Sequence, residues 1–91
     1  MGIVYLIHFD EPYYHARHYL GYTDDLDRRL QQHAEGNGSK LMRAIDRASI
    51  SWRVARVWRG KDRKFERLLK NRKKSRLLCP ICRGGKNYES I

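Results

Sequence analysis

The stretch Ile3–Phe9, IVYLIHF, decides the fold. It is apolar on both alternations, with Ile3, Tyr5, Ile7 and Phe9 on one face and Val4 and Leu6 on the other. A strand with two apolar faces must be covered on both sides, so it reads as the central strand of a sheet. Asp10-Glu11-Pro12 reads as a turn. A second strand from about Arg17 to Tyr22 puts Tyr19 and Gly21 on one face, most simply as a hairpin with a generous loop.

Outward from that hairpin, Thr23-Asp24-Asp25 looks like a helix start with an acidic first turn, and the helix runs to about Glu35 before Gly36-Asn37-Gly38 stops it. Ser39 can cap a second helix reaching Arg47. SWRVARVW, from Ser51 to Trp58, reads as a third strand ended by Gly60, and a last helix runs from near Asp62 to about Leu77. The order β-β-α-α-β-α predicts an α/β domain: a small antiparallel or mixed three-stranded sheet flanked by helices. Residues 1–78 read as the domain and 79–91 as a short C-terminal tail.

Ninety-one residues suffice for one small domain, and 41% hydrophobic with 33% charged residues is globular composition. Apolar runs are far shorter than the roughly 20 residues that span a bilayer, and no basic-then-apolar leader opens the chain. The expectation is a cytoplasmic protein with no membrane partner. Twenty Lys and Arg against ten Asp and Glu give a net charge of +10. From Lys61 to Arg76 nine basic residues face two acidic ones. Charge of that density suits a polyanion, and nucleic acid is the natural partner through phosphate neutralisation. The candidate phosphate contacts are Lys61, Arg63, Lys64, Arg67, Lys70, Arg72, Lys73, Lys74 and Arg76, with Lys40 and Arg43 extending the rail.

Helical geometry places Arg29 and His33 one turn apart, on the side of Leu26 and Leu30, with Arg28 on the far side. An Arg beside an apolar stripe needs an anion, a water-filled cleft, or a route along which to snorkel. Glu66 sits at the edge of the stripe formed by Phe65, Leu68 and Leu69. It can pair with Lys70 at i+4, or face a cleft and hold Mg²⁺ on a bound phosphate. Tyr5 and Tyr19 fall on neighbouring strands, either as packing aromatics or, near cations, as phenols lowered enough to act as a base.

Cys79 and Cys82 form a single CPIC. One Cys-x-x-Cys supplies half a zinc site, and the other ligands would have to come from His8, His15, His18, His33 or a second subunit.

Several of these residues carry a resemblance. Ile3-Val4-Tyr5, then Tyr19-Leu20-Gly21, then Leu26-Asp27-Arg28-Arg29-Leu30 with His33, resemble the GIY-YIG endonucleases, compact stand-alone type. The spacing from Gly21 to Arg29, the His one turn later, and Glu66 in KFERLLK all match. The resemblance covers roughly residues 3 to 76. Tyr22 stands where excision-repair members carry Lys, and Asn71 is too close to Glu66 to match the Asn many members carry. The resemblance implies a DNA endonuclease using one Mg²⁺ or Mn²⁺ ion held by Glu66. It assigns Tyr5 as base, Tyr19 and His33 as groups orienting water or moving its proton, and Arg29 as the phosphate clamp. With no second DNA-reading module in sight, structure-directed or weakly sequence-specific cleavage is expected, with targeting left to a partner protein. The alternative is a nucleic-acid-binding module of this fold without catalysis.

Overall fold

The computed structural model describes residues 2–72, 78–82 and 89–90. Its element order is β1 (Gly2–Tyr13), β2 (Ala16–Thr23), α1 (Leu26–Ala34), α2 (Lys40–Arg47), β3 (Trp52–Lys61), α3 (Arg63–Arg72) and a two-residue β4 (Glu89–Ser90). The sheet order is β2-β1-β3-β4. Three strands pair antiparallel, and β4 adds to β3 in parallel. β1 is therefore central, as its two apolar faces require.

Alternation along β1 splits the core in two. Val4 and Leu6 join Leu20, Ala55, Trp58, Leu69 and Cys79 on one face. Tyr5, Ile7 and Phe9 join Met42, Ile45 and Val57 on the other. So α3 and the segment around Cys79 cover one side, while α1 and α2 cover the opposite one.

The hairpin turn is a correction. Asp10-Glu11-Pro12 continues β1, and the chain reverses at Tyr14-His15, where Tyr14 takes φ 54°. Two contacts to the neighbouring strand region hold the extension: Asp10 N–H donates to Ser51 O at 2.9 Å, and Arg53 bridges Asp10 at 3.1 Å. Pairing with β2 is irregular between His8 and Tyr13, which accommodates a proline that cannot donate to the ladder.

The helix starts follow capping chemistry. Asp25 caps α1 by accepting from Arg28 N–H, Ser39 caps α2 by accepting from Met42 N–H, and Asp62 accepts from Phe65 N–H at the start of α3. The described part of the last helix ends at Arg72, and Lys73, Lys74 and Arg76 lie outside the described residues, as does the description of the Arg72 side chain. No helix among the described residues is long and apolar enough to cross a membrane.

Candidate active site

Four of the sequence-predicted residues converge on one face of the sheet. Tyr5 comes from β1, Tyr19 from β2, and Arg29 and His33 from α1. Ring centroids lie 6.1 Å apart for Tyr5 and Tyr19, 5.8 Å for Tyr5 and His33, and 5.3 Å for Tyr19 and His33. A 2.7 Å hydrogen bond joins the Tyr5 hydroxyl to His33 Nε2, with both residues fully buried.

Two glycines make room for this arrangement. Gly21 pairs directly with Tyr5 across the strands, and a Cβ there would collide with the Tyr5 ring and hydroxyl. This gives the glycine of Tyr19-Leu20-Gly21 a physical reason. A Cβ on Gly38 would run into the His33 imidazole, so the loop between α1 and α2 seats the histidine from behind.

Burial dominates the electrostatics. It raises the Tyr5 phenol above its ordinary value; Tyr19 adds to the rise, and the Arg29 charge opposes it without overcoming it. The expected lowering of a phenol by nearby cations is thus corrected: desolvation wins, and Tyr5 is protonated at neutral pH. His33 is pushed down to about 4, first by burial and then by Arg29, so it is neutral. The Tyr5 hydroxyl, foremost, favours the charged form of Arg29.

That depression has a stability consequence. The unfolded imidazole titrates near 6.5 and the folded one near 4, so between these values the unfolded state holds the extra proton. Stability is fully present above 6.5 and falls as pH drops toward 4. At about 1.4 kcal/mol per pH unit, the loss is on the order of 3 kcal/mol. Urea unfolding at pH 7 and at about pH 4.5 should show this fall, with a shallower slope in His33→Gln. An equal slope in that variant would remove His33 as the cause.

Arg29 Nη1 donates to Gln32 Oε1 at 3.1 Å, while its buried Nε has no hydrogen-bond partner. Arg29 and Gln32 line a cleft of about 440 Å³ with Tyr22, Thr23, Asp24, Asp25, Arg28 and Arg63. The cleft lies at β2, the edge strand, where α1 from one face of the sheet meets α3 from the other. Arg28, read from helical phase as facing away, lines this cleft because it opens around the start of α1. Gln32 joins the site through its spacing of three from Arg29, which sets the two side chains on one face of α1. Arg63 lies over the Tyr22 ring at 5.3 Å, so a cation from α3 stands at the mouth of the cleft beside Tyr22.

Glu66 is one turn along α3 from Arg63. Its carboxylate is 16% exposed and pairs with Lys70 at 3.3 Å, and it does not join the tyrosine cluster directly. The rail is also divided. Lys61 lies 5.0 Å over the Phe65 ring and Lys64 and Arg67 are exposed on α3, but Lys40 and Arg43 belong to α2 on the opposite face, where Arg43 Nε donates to Gly36 O at 3.4 Å. The sheet lies between them and the cations of α3.

Neither curated proteins nor solved structures give a significant match to the chain. The family model for the GIY-YIG catalytic domain matches residues 1–78, most of the chain, and the protein belongs to that family.

Proposed function

We propose that this protein is a divalent-metal-dependent DNA endonuclease that hydrolyses phosphodiester bonds by one-step attack of water. Membership of the family itself implies nuclease activity on nucleic acid. The observation that carries the finer reading is the Tyr5–His33 hydrogen bond next to Arg29, whose buried Nε is an unused donor.

Arg29 would receive a non-bridging phosphate oxygen on its free donor and stabilise the charge that builds there in the transition state. Drawing the guanidinium outward would also uncover the Tyr5 hydroxyl, which is fully buried in the absence of substrate. Tyr5 would take a proton from the attacking water as its own proton passes to His33 Nε2, in the tautomer with Nδ1 protonated. The bound phosphate would offset the Arg29 charge that holds His33 down, raising the imidazole's proton affinity when the proton arrives. Tyr19 would hold the water in line.

A Mg²⁺ or Mn²⁺ ion suits the half-buried Glu66 carboxylate, since such ions bind through one or two carboxylates together with waters and phosphate oxygens. When bound, it would supply Lewis-acid polarisation of the phosphate and stabilise the leaving oxygen. Glu66 would have to leave Lys70 to do so, an i,i+4 pair whose lysine is exposed and which contributes only a few tenths of a kcal/mol, about 0.2–0.5. The exposed cations of α3 and the Arg28–Arg63 rim would position the DNA backbone without reading bases, which fits structure-directed or weakly sequence-specific cleavage.

Supercoiled-plasmid nicking in Mg²⁺ or Mn²⁺ tests this reading, with wild type beside Glu66→Ala. Metal-dependent nicking by wild type and its loss in the variant are expected; nicking by both would end the Glu66 assignment. The complete burial of Tyr5 and His33 favours one other reading, a binding module without catalysis. It predicts equal DNA shifts by both proteins and cleavage by neither, including on branched and flapped DNA.

A further inference from the structure

On the sheet face opposite the tyrosines, four side chains converge that the nuclease reading does not use. His8 and His18 are direct cross-strand partners on β1 and β2, with rings 5.3 Å apart. Cys79 and Cys82 come from the segment after α3. The four ligand-capable atoms all lie within 4.8 Å of one another.

We propose that His8, His18, Cys79 and Cys82 form a structural zinc site that fastens the CPIC segment to the β1–β2 hairpin.

Three imidazole–sulfur distances match those of a tetrahedral ion. Zinc with Zn–S near 2.3 Å and Zn–N near 2.0–2.1 Å places sulfur and nitrogen ligands about 3.6 Å apart. Here His8 Nδ1 lies 3.6 Å from Cys79 Sγ and 3.5 Å from Cys82 Sγ, and His18 Nε2 lies 3.3 Å from Cys82 Sγ. The donor set is two thiols and two imidazoles, which selects zinc over hard ions such as Mg²⁺. Bound as thiolates, the two cysteines would neutralise the dication, so the ion could sit beside the apolar cluster of Leu6, Leu20 and Ile81 without a buried net charge.

The surroundings are also those of a closed site. Cys79 is fully buried and His8 is 6% exposed. The Cys82 N–H donates to Cys79 Sγ at 3.4 Å, an outer hydrogen bond that orients the sulfur. A cavity lined by His8, Arg17, Ile81 and Cys82 gives the ion a way in. With all four positions filled by protein there is no open place for water or substrate, so the role is structural. The site is separate from Glu66 and needs no nuclease activity.

The test uses the full chain, purified without chelator. Elemental analysis should find one equivalent of zinc, absent in Cys79→Ser/Cys82→Ser. Cobalt(II) added to the chelator-stripped wild type should give the absorption of a tetrahedral thiolate complex. Stripping should lower Tm, and zinc, but not Mg²⁺, should restore it. His18→Ala, at a half-exposed position, provides a milder variant and should bind cobalt more weakly with the thiolate bands retained. Metal-free wild type that gives no cobalt spectrum and no Tm response to zinc would overturn the proposal, leaving thiol–imidazole hydrogen bonds alone. Zinc retained by the double cysteine variant, or a Tm restored equally by Mg²⁺, would overturn it too.

Discussion

Arg29→Ala is expected to lower kcat for DNA cleavage by roughly 10²–10³-fold, the usual cost of removing one preorganised transition-state donor. The fold should survive, because Arg29 is a boundary residue that bonds to Gln32 one turn along the same helix and interacts with the Tyr5 and Tyr19 hydroxyls, which stay packed against His33 without it. DNA binding should fall only modestly, since Lys64, Arg67 and the rim cations Arg28 and Arg63 remain. Arg29→Lys should rescue little. A lysine ammonium is a point charge, and the site offers a place for a planar fork with a free Nε. Single-turnover cleavage with a parallel binding titration separates these effects. A variant that cleaves like wild type, or one that loses binding and cleavage in equal measure, would show that Arg29 does not act on the transition state.

Tyr5→Phe should cost about 10²–10⁴-fold in cleavage if the phenol handles the proton of the attacking water. It should also cost stability, because it strands His33 Nε2 inside the core. A buried polar atom that loses its partner carries a penalty of about 1–3 kcal/mol. The two effects are separable. The double variant Tyr5→Phe/His33→Leu removes the stranded nitrogen along with its partner and should recover part of the stability while staying inactive. Urea midpoints and plasmid nicking on the three proteins check this. Full cleavage by Tyr5→Phe would move the base elsewhere, and unchanged stability would mean the Tyr5–His33 bond contributes nothing to the fold.

Much of the fold could be read without coordinates because it rests on local chemistry. IVYLIHF is apolar on both faces, so it had to be central. Asp25 and Ser39 sit where a side-chain oxygen reaches the first free N–H groups of a helix. Strand pairing placed Tyr5 near Tyr19 and the helical turn placed Arg29 near His33, while the resemblance to the GIY-YIG endonucleases implied that the two pairs share one site. Asp-Glu-Pro is turn-like in composition, yet pairing next to Ser51 and Arg53, some 40 residues on, keeps it extended and moves the turn to Tyr14-His15.

What remained depended on which face each element covers. Composition cannot tell that α3 lies across the sheet from α1 and α2, so the basic helix looked continuous with Lys40 and Arg43 when the sheet divides them. Helical phase alone turned Arg28 away from a cleft that opens around the helix start. Nearby cations suggested a lowered phenol, whereas Tyr5 lies in the core and desolvation outweighs Arg29. CPIC had four histidines to choose from. His15 went to the exposed hairpin turn and His33 to Tyr5 on the opposite face, leaving His8 and His18 as cross-strand neighbours beside the sulfurs. Periodicity and capping act over a few residues and are written in the chain. Burial and the pairing of distant side chains arise only when the faces close, and these set the charge states and ligand sets of this protein.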